Sequence, residues 1–300
     1  MPELPEVESV RRSLLPLVRG RVVVDVVLYR RDVVIAPGDP VGGHARQRQR
    51  AGACPPRAVS SDDLLQNARI TDILRRGKQM AIIAESGRAL VVQLGMTGTL
   101  KRMNAGDAPD ARDAHTHAVW TMNSGARFRF HDPRRFGGLR VFRSHDELEA
   151  HWALLGPDAL TITGEQLHSA LAGCKRAIKG ALLDQGVLAG VGNIYADESM
   201  FRSGINPRFR ADRLSGAHAA SLAASIREIL TRAVSDGGST LRDYADAEGK
   251  PGSYQSRHAV YGRGGLPCQT CGRTLATGLL AQRTTVWCRG CQPARPRSAK

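Results

Sequence analysis

The hydrophobic positions divide the chain into regions of different periodicity. In the first 18 residues apolar side chains recur every three or four positions, which predicts an amphipathic helix. From residue 21 to residue 142, short β-branched and apolar runs alternate with Gly, Ser and Asp turns, a pattern typical of a β-sandwich or barrel. The predicted strands lie at 21–28, 70–74, 80–84, 89–94, 118–122, 126–130 and 139–142.

Helical spacing replaces this pattern after residue 145 and continues to about Ser235, with amphipathic helices predicted at 175–183 and 227–234. Residues 36–61 lack any period and are rich in Pro, Gly, Gln, Arg and Ser, which predicts a long surface loop. The whole chain therefore predicts an α+β fold. Its expected domains are a β-sandwich with a flanking helix at 1–145, a helical domain at 146–256 and a cysteine-bearing hairpin at 257–300.

The charge is strongly positive, since 43 Lys and Arg against 28 Asp and Glu give a formal net charge of +15. From Gly249 to Lys300 there is no acidic residue but nine basic ones. A field of this kind favours a polyanionic partner, either nucleic acid or an anionic membrane surface. The chain has no run of 18 apolar residues and no signal-peptide pattern at its start, so we expect a soluble, cytoplasmic protein.

Four cysteines form the most specific spacing motif in the chain. Cys268 and Cys271 make one Cys-x2-Cys pair, Cys288 and Cys291 make another, and 16 residues separate the pairs. This spacing predicts a tetrathiolate zinc site, whose closed shell leaves no position for water and makes the single Zn²⁺ structural. Two disulfides are the alternative, but nothing in the sequence indicates secretion.

The N-terminal sequence Met-Pro-Glu-Leu-Pro-Glu-Val-Glu opens a series of motifs that runs along nearly the whole chain. Together they resemble the formamidopyrimidine-DNA glycosylase/endonuclease VIII family of DNA repair enzymes. Leu4 resembles the formamidopyrimidine branch, since the endonuclease VIII branch usually has Gly there. The other motifs are Leu-Gly-Met-Thr-Gly-Thr-Leu at 94–100, Asp-Pro-Arg-Arg-Phe-Gly at 132–137, Gly-Val-Gly-Asn-Ile-Tyr-Ala-Asp-Glu at 190–198, Gly-Lys-Pro-Gly at 249–252, Val-Tyr-Gly-Arg at 260–263 and Gln-Arg-Thr-Thr at 282–285.

The resemblance implies a bifunctional enzyme of base excision repair. It would excise oxidised purines such as 8-oxoguanine and formamidopyrimidines, then cleave the strand by β,δ-elimination. Pro2 would become the N-terminus and attack the sugar, because an α-amine with a pKa of about 8 keeps a useful neutral fraction at pH 7. Glu3 would be the general acid and base, and Lys78 and Arg283 would assist the eliminations.

The same resemblance assigns DNA contacts. His115, Lys175 and Asn193 would bind phosphates, with Asn193 at a helix start in a helix–two-turns–helix element. A loop at 249–256 would cap the damaged base. The residues that would enter the duplex when the nucleotide is rotated out are Met96, Arg134 and Phe136.

The expected partner is therefore double-stranded DNA that contains oxidised bases or abasic sites. We expect no membrane partner, a monomer, and a bacterial-type cytoplasmic location on the nucleoid. Two alternatives stay open at this point. The first is endonuclease VIII-like specificity for oxidised pyrimidines, which Leu4 and the motif at 132–137 disfavour. The second is a catalytically silent lesion-binding protein, which would not need Pro2 and Glu3 at its N-terminus.

Overall fold

The computed structural model describes residues 2–37, 39, 59–104, 114–242 and 244–294. Most of the predicted 36–61 loop, including Cys54, therefore lies outside the described residues. The chain forms two compact units, one made of residues 1–152 and 237–252 and the other of residues 153–236 and 253–300. The predicted domain division at residues 145 and 256 stays a prediction, and in the structure the segment 237–252 packs within the first unit.

The first unit begins with helix α1, Leu4–Val18. Glu3 is its N-cap, Pro5 lies in the first turn where a missing N–H costs nothing, and Glu6 Oε2 accepts a hydrogen bond from Glu3 N at 2.7 Å. Val7, Val10, Leu14 and Val18 form the buried face of the helix. The predicted N-terminal helix is confirmed.

Nine strands of the first unit form two sheets. The five-stranded sheet has the order β2-β9-β5-β4-β3, in which β2 and β9 are parallel, and the antiparallel four-stranded sheet has the order β1-β7-β8-β6. Both sheets and α1 contribute to one buried core, which is why the alternating apolar positions predicted a sandwich. The strands are β1 Val23–Leu28, β2 Val34–Ile35, β3 Ile70–Arg76, β4 Gln79–Ala84, β5 Ala89–Gln93, β6 Thr99–Arg102, β7 Thr116–Met122, β8 Arg127–His131 and β9 Gly138–Phe142.

All seven predicted strands are present, and the pattern missed β2 and β6. A further helix, α2 at His145–Trp152, closes the first unit. Trp152 Nε1 donates a hydrogen bond to Gln79 Oε1 at 3.0 Å, which fixes the end of α2 against the start of β4.

Four helices form the body of the second unit: α3 Gly164–Leu171, α4 Ile178–Leu182, α5 Asn193–Arg202 and α6 Gly216–Ser235. Helix α6 contains the predicted 227–234 helix and packs against α3 and α5. The prediction of a helix over 175–183 is wrong for its first three residues. They run extended beside 209–211, where Ile178 N donates to Phe209 O and Ala211 N donates to Arg176 O.

A hairpin completes the second unit. Strands β10, Ala276–Leu280, and β11, Arg283–Trp287, are antiparallel and meet in a two-residue turn at Ala281 and Gln282. Among the described residues, none of the helices is both long and apolar enough to cross a membrane.

Candidate functional site

A cleft of about 370 Å³ lies in the first unit at the start of α1. It brings together three residues that the sequence predicted for the site: Pro2, Met96 and Arg134. The loop 249–256, which was expected to cap the damaged base, is not part of the lining. The remaining lining comes from 97–99 and from a stretch that the sequence did not assign to the site, namely Ser239, Leu241, Arg242 and Tyr244.

Pro2 and Glu3 are held rigidly because they lead directly into α1. Both residues are buried, and Glu3 is only 1% exposed. Glu3 has extended backbone angles and its N–H is fixed by the Glu6 carboxylate, so the chain before the helix has one direction of entry. A proline and a carboxylate in this environment can present an amine and a proton-transfer group at fixed positions.

The Glu6 carboxylate also holds the 237–252 segment in place. Its Oε1 accepts a hydrogen bond from Ser239 N at 2.7 Å, while its Oε2 serves Glu3. Gly238, with φ +85°, packs directly on this carboxylate: a Cβ at Gly238 would lie 2.8 Å from Glu6 Oε1. One carboxylate therefore connects the start of α1 to a segment that lines the cleft.

Tyr244 makes a second connection between the same two segments. Its hydroxyl donates a hydrogen bond to Glu6 O at 3.0 Å. Burial, together with the Glu6 charge, raises the pKa of Tyr244 well above its ordinary value, so the phenol stays protonated and able to donate. The sequence pattern gave no signal for Tyr244, because its partner is more than 230 residues away.

Lys78 lies in the two-residue turn between β3 and β4 and is not among the residues that line the cleft. Gly77 precedes it with φ +55°, as the first central position of a type II′ hairpin turn requires. His115 is exposed just before β7, with its ring edge-on to that of His131 at 5.9 Å. The structure thus places both residues in the first unit, at ends of strands.

Met96 and Phe136 come from two adjacent segments of the first unit. Met96 is half-buried in the turn after β5, and half-buried Phe136 precedes β9. The exposed Arg134 guanidinium stands over the Phe136 ring, with its Cζ 4.4 Å from the ring centroid, a distance at which a cation–π interaction stabilises the pair.

The second unit contains the other predicted DNA contacts. Lys175 is exposed, Asn193 is the first residue of α5, and the exposed Arg283 is the first residue of β11. Asn193 Nδ2 donates to Thr284 O at 3.1 Å, which attaches the helix start to the strand that carries Arg283. Asn193 Oδ1 is buried and has no hydrogen-bond partner among the described residues.

The sequence missed an ion pair in the second unit that anchors the same strand. The Lys179 and Asp197 side chains are 0% exposed, and Nζ lies 2.6 Å from Oδ1. Lys179 Nζ also donates to Thr284 O at 3.3 Å, and Asp197 Oδ2 accepts from Val286 N at 3.1 Å. Burial raises the pKa of Asp197 to about 6, although the Lys179 charge opposes the shift.

Four cysteines meet at the base of the hairpin. Their Sγ atoms all lie within 4.8 Å of one another; Cys268 and Cys291 are 3.9 Å apart, and Cys271 and Cys288 are 3.4 Å apart. A tetrahedral Zn²⁺ with thiolate bonds of about 2.3 Å separates its sulfurs by about 3.8 Å. These distances greatly exceed the roughly 2.05 Å of a disulfide, so the cluster fits one structural zinc ion and not two disulfides.

Comparison with known proteins agrees with this geometry. The family model of the formamidopyrimidine-DNA glycosylase N-terminal domain matches residues 1–139, and that of the formamidopyrimidine-DNA glycosylase H2TH domain matches residues 155–245. A formamidopyrimidine-DNA glycosylase of Xanthomonas campestris is 40% identical over 294 residues, covering 97% of this chain and all of the relative. The relative from Stenotrophomonas maltophilia has the same identity and coverage.

Solved structures give the same result. The MutM (Fpg) protein of Thermus thermophilus superposes with a TM-score of 0.78 at 38% identity, covering 98% of this chain and all of that one. The Lactococcus lactis Fpg bound to DNA with an abasic site has a TM-score of 0.81 at 29% identity, covering 97% and 100%. The protein therefore belongs to the formamidopyrimidine-DNA glycosylase family.

Proposed function

We propose that the protein is a bifunctional DNA glycosylase and abasic-site lyase that excises oxidised purines, including 8-oxoguanine and formamidopyrimidines. The observation that carries this proposal is the cleft that joins Pro2 to Met96 and Arg134. It places a group able to attack a sugar beside groups able to fill a gap in a duplex. Lactococcus lactis Fpg, a structural relative, has been crystallised with Fapy-dG DNA, which supports the same substrate class.

The chemistry begins at the N-terminal amine. Once Met1 is removed, the Pro2 nitrogen attacks C1′ of the damaged nucleotide and the base departs. A secondary amine forms a cationic iminium, which withdraws electrons and so promotes loss of the 3′ phosphate and then of the 5′ phosphate. Glu3 exchanges protons with the sugar oxygen. Lys78 and Arg283 assist the two eliminations.

DNA is held through its backbone and opened by a small set of side chains. His115, Lys175 and Asn193 bind phosphates and so position the duplex without reading its sequence. Met96, Arg134 and Phe136 occupy the space that the extruded nucleotide leaves. The zinc ion supplies no reaction step, because four thiolates close its coordination shell; it stabilises the hairpin that carries Arg283.

The remaining expectations complete the proposal. The protein acts as a monomer on the bacterial chromosome in the cytoplasm, and its relatives named above are all bacterial. The sandwich with its flanking helix, the helical part and the zinc hairpin act as three functional domains, with boundaries near residues 145 and 256.

Borohydride trapping tests the proposal directly. The untagged protein is incubated with 8-oxoguanine duplex and borohydride, which reduces the imine to a stable cross-link; excision and strand cleavage are measured in parallel. A protein that retains a tag before Pro2 is the matched control and should form no cross-link. Binding without trapping or excision would instead support the silent lesion-binding alternative.

A second duplex distinguishes the specificity alternatives. Lactococcus lactis Fpg has also been crystallised with an oxidised pyrimidine, at 28% identity to this chain, so a pyrimidine lesion belongs in the same assay. We expect faster single-turnover excision of 8-oxoguanine. Faster excision of the pyrimidine lesion would support endonuclease VIII-like specificity.

A further inference from the structure

The turn that carries Met96 and the loop that carries Arg134 and Phe136 are in direct backbone contact. A Cβ on Gly95, which has φ +63°, would lie 2.4 Å from Gly137 N. A Cβ on Gly137 would in turn lie 2.4 Å from the carbonyl oxygen of Gln93. Since no side chain fits between the two segments at these positions, their relative placement depends on backbone packing and on the groups that bond to both.

One buried carboxylate forms hydrogen bonds with both segments. Asp132 is 0% exposed, and its Oδ1 accepts a hydrogen bond from Thr97 Oγ1, in the Met96 turn, at 2.5 Å. In its own loop, Oδ1 accepts from Arg134 N at 3.3 Å and Oδ2 accepts from Gly137 N at 2.7 Å. Hydrogen bonds to an ionised oxygen are stronger than neutral ones, and burial protects these from competition with water.

His117 supports Asp132 from the neighbouring strand β7. Its ring is fully buried, and Nε2 lies 2.8 Å from Asp132 O. Because a carbonyl oxygen can only accept, Nε2 carries the hydrogen, and Nδ1 has no hydrogen-bond partner among the described residues. Burial lowers the pKa of His117, so the ring is neutral and fixes the Asp132 backbone as a donor.

We propose that Asp132 is a positioning residue that joins these two segments, so that Met96, Arg134 and Phe136 enter the duplex as one rigid wedge. This inference rests on the proposed function, in which the wedge fills the space of the extruded nucleotide. Loops are usually mobile, and ordering them on binding costs entropy. A wedge that is already assembled avoids that cost at the step in which the nucleotide leaves the stack.

Thr97→Val tests the connection with little change in shape. Valine removes the hydroxyl that bonds Asp132 but leaves the bonds from Arg134 N and Gly137 N in place. Displacements of about 1 Å at a reacting site can cost about a hundredfold, so we expect single-turnover excision of 8-oxoguanine to fall by about tenfold to a hundredfold. Affinity for undamaged duplex should change less than about twofold, because wedge entry follows backbone binding.

Two controls separate positioning from general damage. Thr97→Ser keeps the hydroxyl and should restore most of the rate. Thr71→Val makes the same chemical change on strand β3, where the hydroxyl bonds Ile83 O at 3.3 Å, and should leave excision unchanged. The melting temperature of every variant is measured alongside.

A double-mutant cycle with Met96→Ala gives the decisive readout. If Thr97 acts by placing Met96, adding Thr97→Val to Met96→Ala should cost much less than the same change costs in the wild type. Excision by Thr97→Val at the wild-type rate, or losses that simply multiply, would overturn the positioning role while leaving the glycosylase proposal intact. A wild-type protein without excision or trapping would overturn both.

Discussion

Gly238→Ala should both destabilise the first unit and slow excision, because it disturbs the link between Glu6 and Ser239. An alanine at φ +85° incurs about 1–2 kcal/mol of backbone strain. Its Cβ would also lie 2.8 Å from Glu6 Oε1, which forces the carboxylate to move. Losing the hydrogen bond from Ser239 N, a bond to a charged group, adds about 1.5–3 kcal/mol. The expected total loss in the free energy of unfolding is about 3–5 kcal/mol.

Gly125→Ala is the matched control for this experiment. Gly125 has φ +81° in the turn between β7 and β8, and nothing lies within 4 Å of a Cβ built there. It therefore carries the strain alone, about 1–2 kcal/mol, and should keep its excision rate. Urea unfolding and single-turnover excision are compared for both variants. If the two variants matched in stability and in rate, Glu6 would not hold the 237–252 segment in place.

Three further predictions concern other parts of the molecule. Cys288→Ser should release the zinc, about one ion per chain by atomic absorption, whereas Cys174→Ser, outside the cluster, should keep it. Arg283→Ala should weaken damaged and undamaged duplex equally and reduce the salt slope of binding by about 0.9, while Leu279→Ala on the same hairpin should leave the slope unchanged. The Arg11 and Arg12 side chains lower the pKa of Glu8 to about 2 despite its burial, so the folded state binds fewer protons than the unfolded state below pH 4.5. Stability should therefore fall from pH 4.5 towards pH 2, and Glu8→Gln should remove that part of the acid sensitivity.

The sequence predicted most of the fold because the signals were local. Alternating apolar residues identified seven strands, and the cysteine spacing identified the hairpin. Strand β6 was missed because Thr99–Arg102 contains one fully buried side chain, Leu100, and two basic residues. Helix α4 begins later than predicted because pairing with 209–211 overrides the local helical pattern of 175–177.

The site was less predictable because its organising contacts join distant parts of the chain. The N-terminal motif identified Pro2 and Glu3, but no period connects Glu6 to Ser239, 233 residues later. The motif at 132–137 named Asp132 without showing that its carboxylate reaches Thr97. Buried Lys179 was likewise read as part of an ordinary helix, since its partners Asp197 and Thr284 belong to other elements. The individual roles of the site residues stay predictions.

The discontinuous first unit has a consequence for the order in which the protein is made. Helix α1 is the first element to be synthesised, yet the backbone N–H of Ser239 that its Glu6 carboxylate accepts, and the Ala247 N–H that bonds Ser13, come much later. About 85 residues separate the two parts of this unit, a delay of about 4–17 s at about 5–20 residues per second. The nascent sandwich can therefore collapse early, but the cleft around Pro2 gains its last wall only after the helices of the second unit have been translated. A catalytic amine at the first position of the chain thus becomes usable near the end of its synthesis.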